Sequence, residues 1–219
     1  MAPASPSLAV FDLDRTLSRG DTFLAYLAAV LRRRPARLAR AWRLPLDTAW
    51  HLLGGRDNGW LKERYLRALL GGLPRPALDA HTAAFLARLL AGGLRPAALE
   101  RLREHQARGD RVLLATASPD LYVEPLAAAL GIAEVVCTRT AWSGDTYRGH
   151  LVGGNCYGRA KLERVQALVG DGGGGRRIVY SDHHDDLPLL EWADRGVAVS
   201  PTRRLARLAR ARGLEVAAW

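Results

Sequence analysis

Residues 8–16 read Leu8-Ala9-Val10-Phe11-Asp12-Leu13-Asp14-Arg15-Thr16: four apolar residues, then two acids one residue apart and a hydroxyl. A short apolar run closed by polar residues is the pattern of a strand buried on both faces. Together with this first run, at 8–12, further runs rich in Val, Ile and Leu at 111–116, 134–138, 177–181 and 196–200 read as strands. Helix-like segments separate most of them, so the spacing predicts an α/β fold with a Rossmann-like parallel sheet. Ser118-Pro119 reads as the N-cap and first residue of a helix ending near Gly131, with Pro125 kinking or splitting it. A second helix is predicted over 158–169, with 170–175 as a glycine-rich surface link. Trp142-Ser-Gly-Asp-Thr-Tyr147 reads as a β-hairpin.

Residues 13–110 separate the first two strands, far more than one crossover helix needs. The surplus predicts a helical cap domain inserted at 19–95, with the α/β catalytic core formed by 1–18 and 96–219. Helices are expected in it over 23–31, 35–50, 60–70 and 76–90. The chain has 219 residues, 48% of them apolar, with 32 Lys+Arg against 22 Asp+Glu, which excludes a disordered or collagen-like protein. Residues 19–95 hold 13 Arg and one Lys against five acids, so they carry +9 of the +10 net charge. Thirty of the 32 basic residues are Arg, so a lysine here is informative. Cys137 and Cys156 lie 19 apart with no C-x-x-C or Cys/His spacing, suggesting neither a zinc site nor a disulfide framework. A cytoplasmic location is expected: the first apolar run is too short for a signal peptide, and the longest, at 23–31, falls short of the ~20 residues of a membrane span.

In open parallel sheets, ligands bind beyond the carboxyl ends of the strands. Those ends carry Asp12 and Asp14, then Thr116 and Ser118, then Asp182 through Asp186, and Lys161 falls in the first turn of the 158–169 helix. Carboxylates converging on one crevice raise one another's pKa unless a cation joins them. An all-oxygen donor set selects a hard ion, and Mg²⁺, which shares its ligands with water and substrate phosphate, fits best.

Asp12-Leu-Asp14-Arg-Thr16 after an apolar strand resembles the first motif of the haloacid dehalogenase superfamily of aspartate-nucleophile phosphohydrolases. Thr116, Lys161 and Asp182 with Asp186 match its second, third and fourth motifs in order. The segments 155–161 and 180–190 and the position of the cap are similar to the phosphoserine-phosphatase-like branch, subfamily IB. The resemblance implies a Mg²⁺-dependent phosphatase acting on a phosphate monoester of a small metabolite. It implies Asp12 as nucleophile forming an aspartyl-phosphate, Asp14 as general acid and base, and Thr116 and Lys161 as holders of the phosphoryl oxygens. The metal would be bound by Asp12, the Asp14 main-chain carbonyl and Asp182, with Asp186 positioning a metal-bound water. Two positions depart from the common pattern: Arg15 stands for a frequent Gly and His183 for a frequent Ser. His183-His184 could add a ligand or simply face outward, hydrogen-bonded.

In the cap, Asp21 matches an acid that accompanies recognition of the substrate ammonium in phosphoserine phosphatases, and Arg64 an arginine that binds the substrate carboxylate. N-capping and a solvated helix face are the plainer readings of the two. Ser118 is a substrate-contact candidate whose plainer role is a helix cap. Arg32-Arg33-Arg34 with Arg37, Arg40 and Arg43, interleaved with Leu38, Trp42 and Leu44, reads as a solvated face or as a surface attracted to anionic membrane. The latter would suit a lipid-phosphate phosphatase. No nucleic-acid recognition fold accompanies the charge, though an inactive core serving as a basic binding module remains a rival. A monomer or a homodimer is expected.

Overall fold

The computed structural model describes residues 6–170 and 175–219, so most of the expected link at 170–175 lies outside the described residues. The chain is α/β, built on a seven-stranded sheet in the order β4-β3-β2-β1-β5-β6-β7. The strands are β1 (Leu8–Phe11), β2 (Arg111–Pro119), β3 (Glu134–Ser143), β4 (Thr146–Val152), β5 (Arg177–Ser181), β6 (Arg195–Val199) and β7 (Glu215–Ala217). All pairs are parallel except β3 with β4, the expected hairpin, which pairs Trp142 with Tyr147 and Ser143 with Thr146. Gly144 takes the positive φ, 54°, that the first position of such a two-residue loop favours. β7 has no counterpart among the sequence expectations, because its three residues are half-exposed at the sheet edge and form no apolar run.

Alternation along β1 explains the apolar runs. Ala9 and Phe11 join one buried cluster and Leu8 and Val10 the other, so both faces of the strand are covered. One cluster is sealed by α7 (Arg159–Val169), α8 (Leu187–Trp192) and α9 (Arg203–Arg212), through Leu162, Val165, Leu189 and Leu205. The other is covered by α5 (Pro96–Ala107) and α6 (Asp120–Ala129) and by helices from the segment between β1 and β2. α6 starts later than expected: β2 runs on through Ser118, Pro119 takes the N-cap position, and Pro125 sits inside one unbroken helix.

Between β1 and β2 lie α1 (Thr22–Arg33), α2 (Leu44–Leu52), α3 (Asn58–Leu69) and α4 (Arg75–Arg88). The expected helix over 35–50 is broken into a 3₁₀ segment, Pro35–Ala41, and α2. Pro45 is the reason: it lacks an N–H and its ring would meet the carbonyl of residue 41, so a continuous helix is excluded and α2 starts afresh just before it. The insertion enters and leaves by adjacent backbones, Arg19 N–H donating to the Gly93 carbonyl and Arg95 N–H to that of Leu17, both at 2.8 Å. It shares its core with the sheet: Tyr26 of α1, Phe85 of α4 and Tyr122 of α6 pack with ring centroids 4.8–5.4 Å apart. No helix among the described residues is long and apolar enough to cross a membrane.

Candidate active site

β1, β2 and β5 are neighbours running the same way, so the residues after Phe11, Ala115 and Ser181 emerge at one edge. There a cavity of about 540 Å³ is lined by Asp12, Asp14, Lys161, Asp182 and Asp186 and, from the insertion, by Asp21, Phe23, Leu24, Lys62 and Tyr65. The buried Lys161 ammonium donates to Asp12 Oδ1 at 2.9 Å and to Asp186 Oδ2 at 2.8 Å. Ser181 Oγ donates to the same Asp186 oxygen at 2.7 Å. Burial raises Asp12 while the Lys161 charge pulls it back toward the ionised form. Burial alone would lower Lys161, but its two carboxylates hold it above its ordinary value.

Asp14 is held from both sides. Its Oδ1 accepts from the N–H and the hydroxyl of Thr22, both at 2.6 Å, at the first turn of α1, and its Oδ2 accepts from Ser118 Oγ at 2.7 Å. Burial nevertheless raises its pKa, against the pull of these bonds, which favours a carboxyl that can carry a proton. The next residue, Arg15, sits at φ 59°, the left-handed region a non-glycine side chain enters at a cost of about 1 kcal/mol. That is the backbone reason for the family's frequent Gly at this position. Ser118, expected as a substrate contact, lines the cavity and bridges to Asp14, and it is Pro119 that takes the helix cap position. Thr116 lies at the same edge but is fully buried, accepting from Ser118 N–H at 3.1 Å, and does not line the cavity.

Asp182 is pushed up to about 6 by burial and by Asp186, and its carboxylate accepts no hydrogen bond from the described residues. Three buried carboxylates against one ammonium leave negative charge uncompensated, and their hard oxygen donors fit a Mg²⁺ ion. His183, which lines the cavity, turns to Asp185, its Nδ1 2.8 Å from Asp185 Oδ2, while His184 Nε2 lies 3.1 Å from an Arg204 nitrogen and 3.7 Å from that carboxylate oxygen. These two histidines and Asp185 bring three potential ligand atoms within 4.8 Å of one another.

The residues expected from the insertion divide. Asp21 lines the cavity and also caps α1, accepting from Leu24 N–H at 2.8 Å. Arg64 does not line it: it pairs with Asp47 at 2.9 Å and faces a second cavity, because on α3 it lies two residues past the cavity-facing position. That position belongs to Lys62, which the sequence reading missed. Its ammonium donates to the Ala117 carbonyl at 2.5 Å and to Asn155 Oδ1 at 2.7 Å, both neutral acceptors. Burial lowers it to about 8. The signal was present, since Lys62 is one of two lysines in a chain that otherwise uses arginine.

Residues 9–191 match the haloacid dehalogenase-like hydrolases. The chain belongs to this family. It is similar to the protein CicA of Caulobacter vibrioides, 31% identical over 86% of this chain and 84% of that one. A histidinol-phosphatase of Neisseria meningitidis is 26% identical over 96% and 97%. The structure of a protein of unknown function from Bordetella pertussis superposes with a TM-score of 0.84 at 30% identity, covering 98% of this chain and 99% of that one. A probable phosphoserine phosphatase from Vibrio cholerae shares the fold, at TM-score 0.71 and 15% identity over 93% of this chain and 59% of its own.

Proposed function

We propose that this haloacid dehalogenase-like hydrolase is a phosphatase that cleaves a small phosphate monoester through an aspartyl-phosphate. One observation carries the reading: Asp12, Asp14, Lys161, Asp182 and Asp186 line a single cavity at the ends of adjacent strands. An oxygen of the Asp12 carboxylate attacks phosphorus, the bond from phosphorus to the ester oxygen breaks, and that oxygen takes the proton held by Asp14. Asp14, now a carboxylate, takes a proton from a water whose oxygen attacks the same phosphorus. The bond to Asp12 breaks, inorganic phosphate leaves, and both acids return to their starting state. Lys161 orients Asp12 and offsets the negative charge gathering on the phosphoryl oxygens. Mg²⁺ would be held by Asp12, the Asp14 main-chain carbonyl and Asp182, with Asp186 beside them, and would neutralise phosphoryl charge.

Two features point to the substrate. Lys62 carries a buried positive charge with no carboxylate of a described residue bound to it, suited to an anionic group of the substrate, and Asp21 on the cavity wall suits an ammonium. Histidinol phosphate and phosphoserine, substrates that the names of two similar proteins suggest, both combine a phosphate with an amine. The test is phosphate release from these two, glycerol phosphate and an aryl phosphate, with and without Mg²⁺. Turnover that needs Mg²⁺ and falls at least ~10³-fold in Asp12→Asn is expected. A wild type no faster than Asp12→Asn on every compound, the activated aryl ester included, would sink the proposal.

A further inference from the structure

α2 turns apolar residues outward as well as inward. Leu44 and Asp47 turn inward and are buried, while Trp42, Leu46, Trp50 and Leu53, spaced 4, 4 and 3 residues apart, turn outward with 69%, 67%, 56% and 83% of their surfaces exposed. Leu38 and Leu52 add to the same exposed surface. A surface helix ordinarily presents polar residues to water, so an outward stripe of two tryptophans and two leucines is a face without its partner. The charge around it is one-sided: residues 32–56 contain seven arginines and one acid, Asp47, which is already paired with Arg64.

Two of the seven are structural, Arg37 and Arg40 donating to the carbonyls that end α3, chiefly that of Gly71 at 2.8 and 3.1 Å. Arg32, Arg33, Arg34, Arg43 and Arg56 are exposed and form no ion pair with a described residue, Arg34 alone of them donating to a side chain, His81 Nε2 at 3.1 Å. Arg43 instead lies over the Trp42 ring, 5.5 Å from its centroid. Beside the stripe, Arg40 and Arg43 enter a cavity of about 450 Å³ that Arg64, Arg67 and Arg148 also line. From this we infer that the 32–56 segment docks the protein on an anionic lipid surface. Tryptophan and leucine enter the interfacial layer and the unpaired guanidiniums meet lipid phosphates. A second copy of the chain is the poorer occupant, since a two-fold contact would set this positive surface against itself. The face also borders the cavity with the acids: Thr48, on α2, lines both that cavity and the apolar groove under Trp42.

This inference does not depend on the phosphatase reading, and its test needs no turnover. The full chain is sedimented with phosphatidylcholine vesicles, with and without about a third of phosphatidylglycerol, at low and high salt. Binding to the anionic vesicles alone, weakened by salt and accompanied by quenching of tryptophan emission by brominated lipid, is expected. Trp42→Ser with Trp50→Ser should lower the partition coefficient about tenfold, and Arg32, Arg33 and Arg34 all →Gln on the order of 100-fold at low salt. All five positions are exposed, so thermal melting and hydrolysis of a soluble ester should stay at wild-type levels in both variants. Failure of the wild type to bind anionic vesicles overturns the inference, as does binding that neither variant weakens. A wild-type dimer that the tryptophan variant dissociates, without vesicle binding, assigns the face to a second copy instead.

Discussion

Lys62 is the residue at which stability and chemistry pull apart. Its ammonium is buried against two neutral oxygens, and that desolvation lowers its pKa to about 8. Lys62→Met keeps the length of the side chain and removes the charge. Thr138 Oγ1 lies 2.7 Å from the Ala117 carbonyl and 3.0 Å from Asn155 Oδ1, so its one proton still serves one of the two acceptors. Two opposite outcomes are expected from this one substitution. Tm should rise by about 2–4 °C, the yield of roughly 1 kcal/mol at this chain length. Against that, kcat/KM should fall roughly 10- to 100-fold, the worth of a charge-assisted hydrogen bond to the substrate. The sign of the pH effect follows from the lowered value: below about 8 the folded protein carries the charge, and above it the charge is lost. Wild-type KM should therefore climb as pH rises through 8, and Lys62→Met should be flat over that interval. Parallel profiles in the two proteins would remove Lys62 from substrate binding.

At the scale of elements, the hold of the insertion on the sheet depends on how closely α3 lies against β4. Gly149, on β4 at φ 74°, faces the backbone of α3, where an added Cβ would stand 2.8 Å from Arg67 N and 3.0 Å from the Leu66 carbonyl carbon. β4 is also tied to the turn after α3, Gly72 N–H donating to the Tyr147 carbonyl and Tyr147 N–H to that of Leu73. Gly149→Ala adds a steric clash to a backbone angle unfavourable for a side chain, so a loss of about 2–4 kcal/mol in urea unfolding is expected. Because Lys62 rides on α3, KM should rise as well while kcat holds. The β3–β4 hairpin was legible from Ser143-Gly-Asp-Thr146, yet its grip on α3 was not, because a close backbone approach leaves only a glycine in the sequence.

At the scale of the whole molecule, His105 couples folding to pH. It is buried where α5 meets the sheet, Nδ1 2.7 Å from Asp110 Oδ2 and Nε2 2.9 Å from the Tyr180 hydroxyl, with Arg108 and Arg101 the nearby cations. Burial lowers its pKa below 6.5, with Arg108 and Arg101 acting in the same direction and Asp110 opposing them. As pH falls below 6.5 the unfolded chain binds a proton that the folded one refuses, so the contribution of His105 falls toward acid and is level above that point, whereas Asp182, raised to about 6, favours the folded state as it takes its proton. Between about pH 7 and 5 the urea midpoint of the wild type should fall relative to that of His105→Gln, which starts from a lower midpoint. Equal slopes would place the acid sensitivity elsewhere.

The strands around the site, their parallel order and the acids after them could be read from residues 8–16, 111–118 and 177–186, because a strand buried on both faces must be apolar and its polar successor must lie at the sheet edge. The long helical insertion followed from chain length alone. What sequence could not supply was direction around a helix. Lys62 and Arg64 lie two residues apart on α3, and their rotation about its axis, fixed by packing against α2 and β4, sends one ammonium into the cavity with Asp12 and the other cation to Asp47. The same holds for Ser118, read as a cap and found on Asp14, since only the extension of β2 through Pro119 carries it there. Sequence thus determined which chemical groups reach the sheet edge, because burial and period are local. Tertiary packing alone decided which of them face one another.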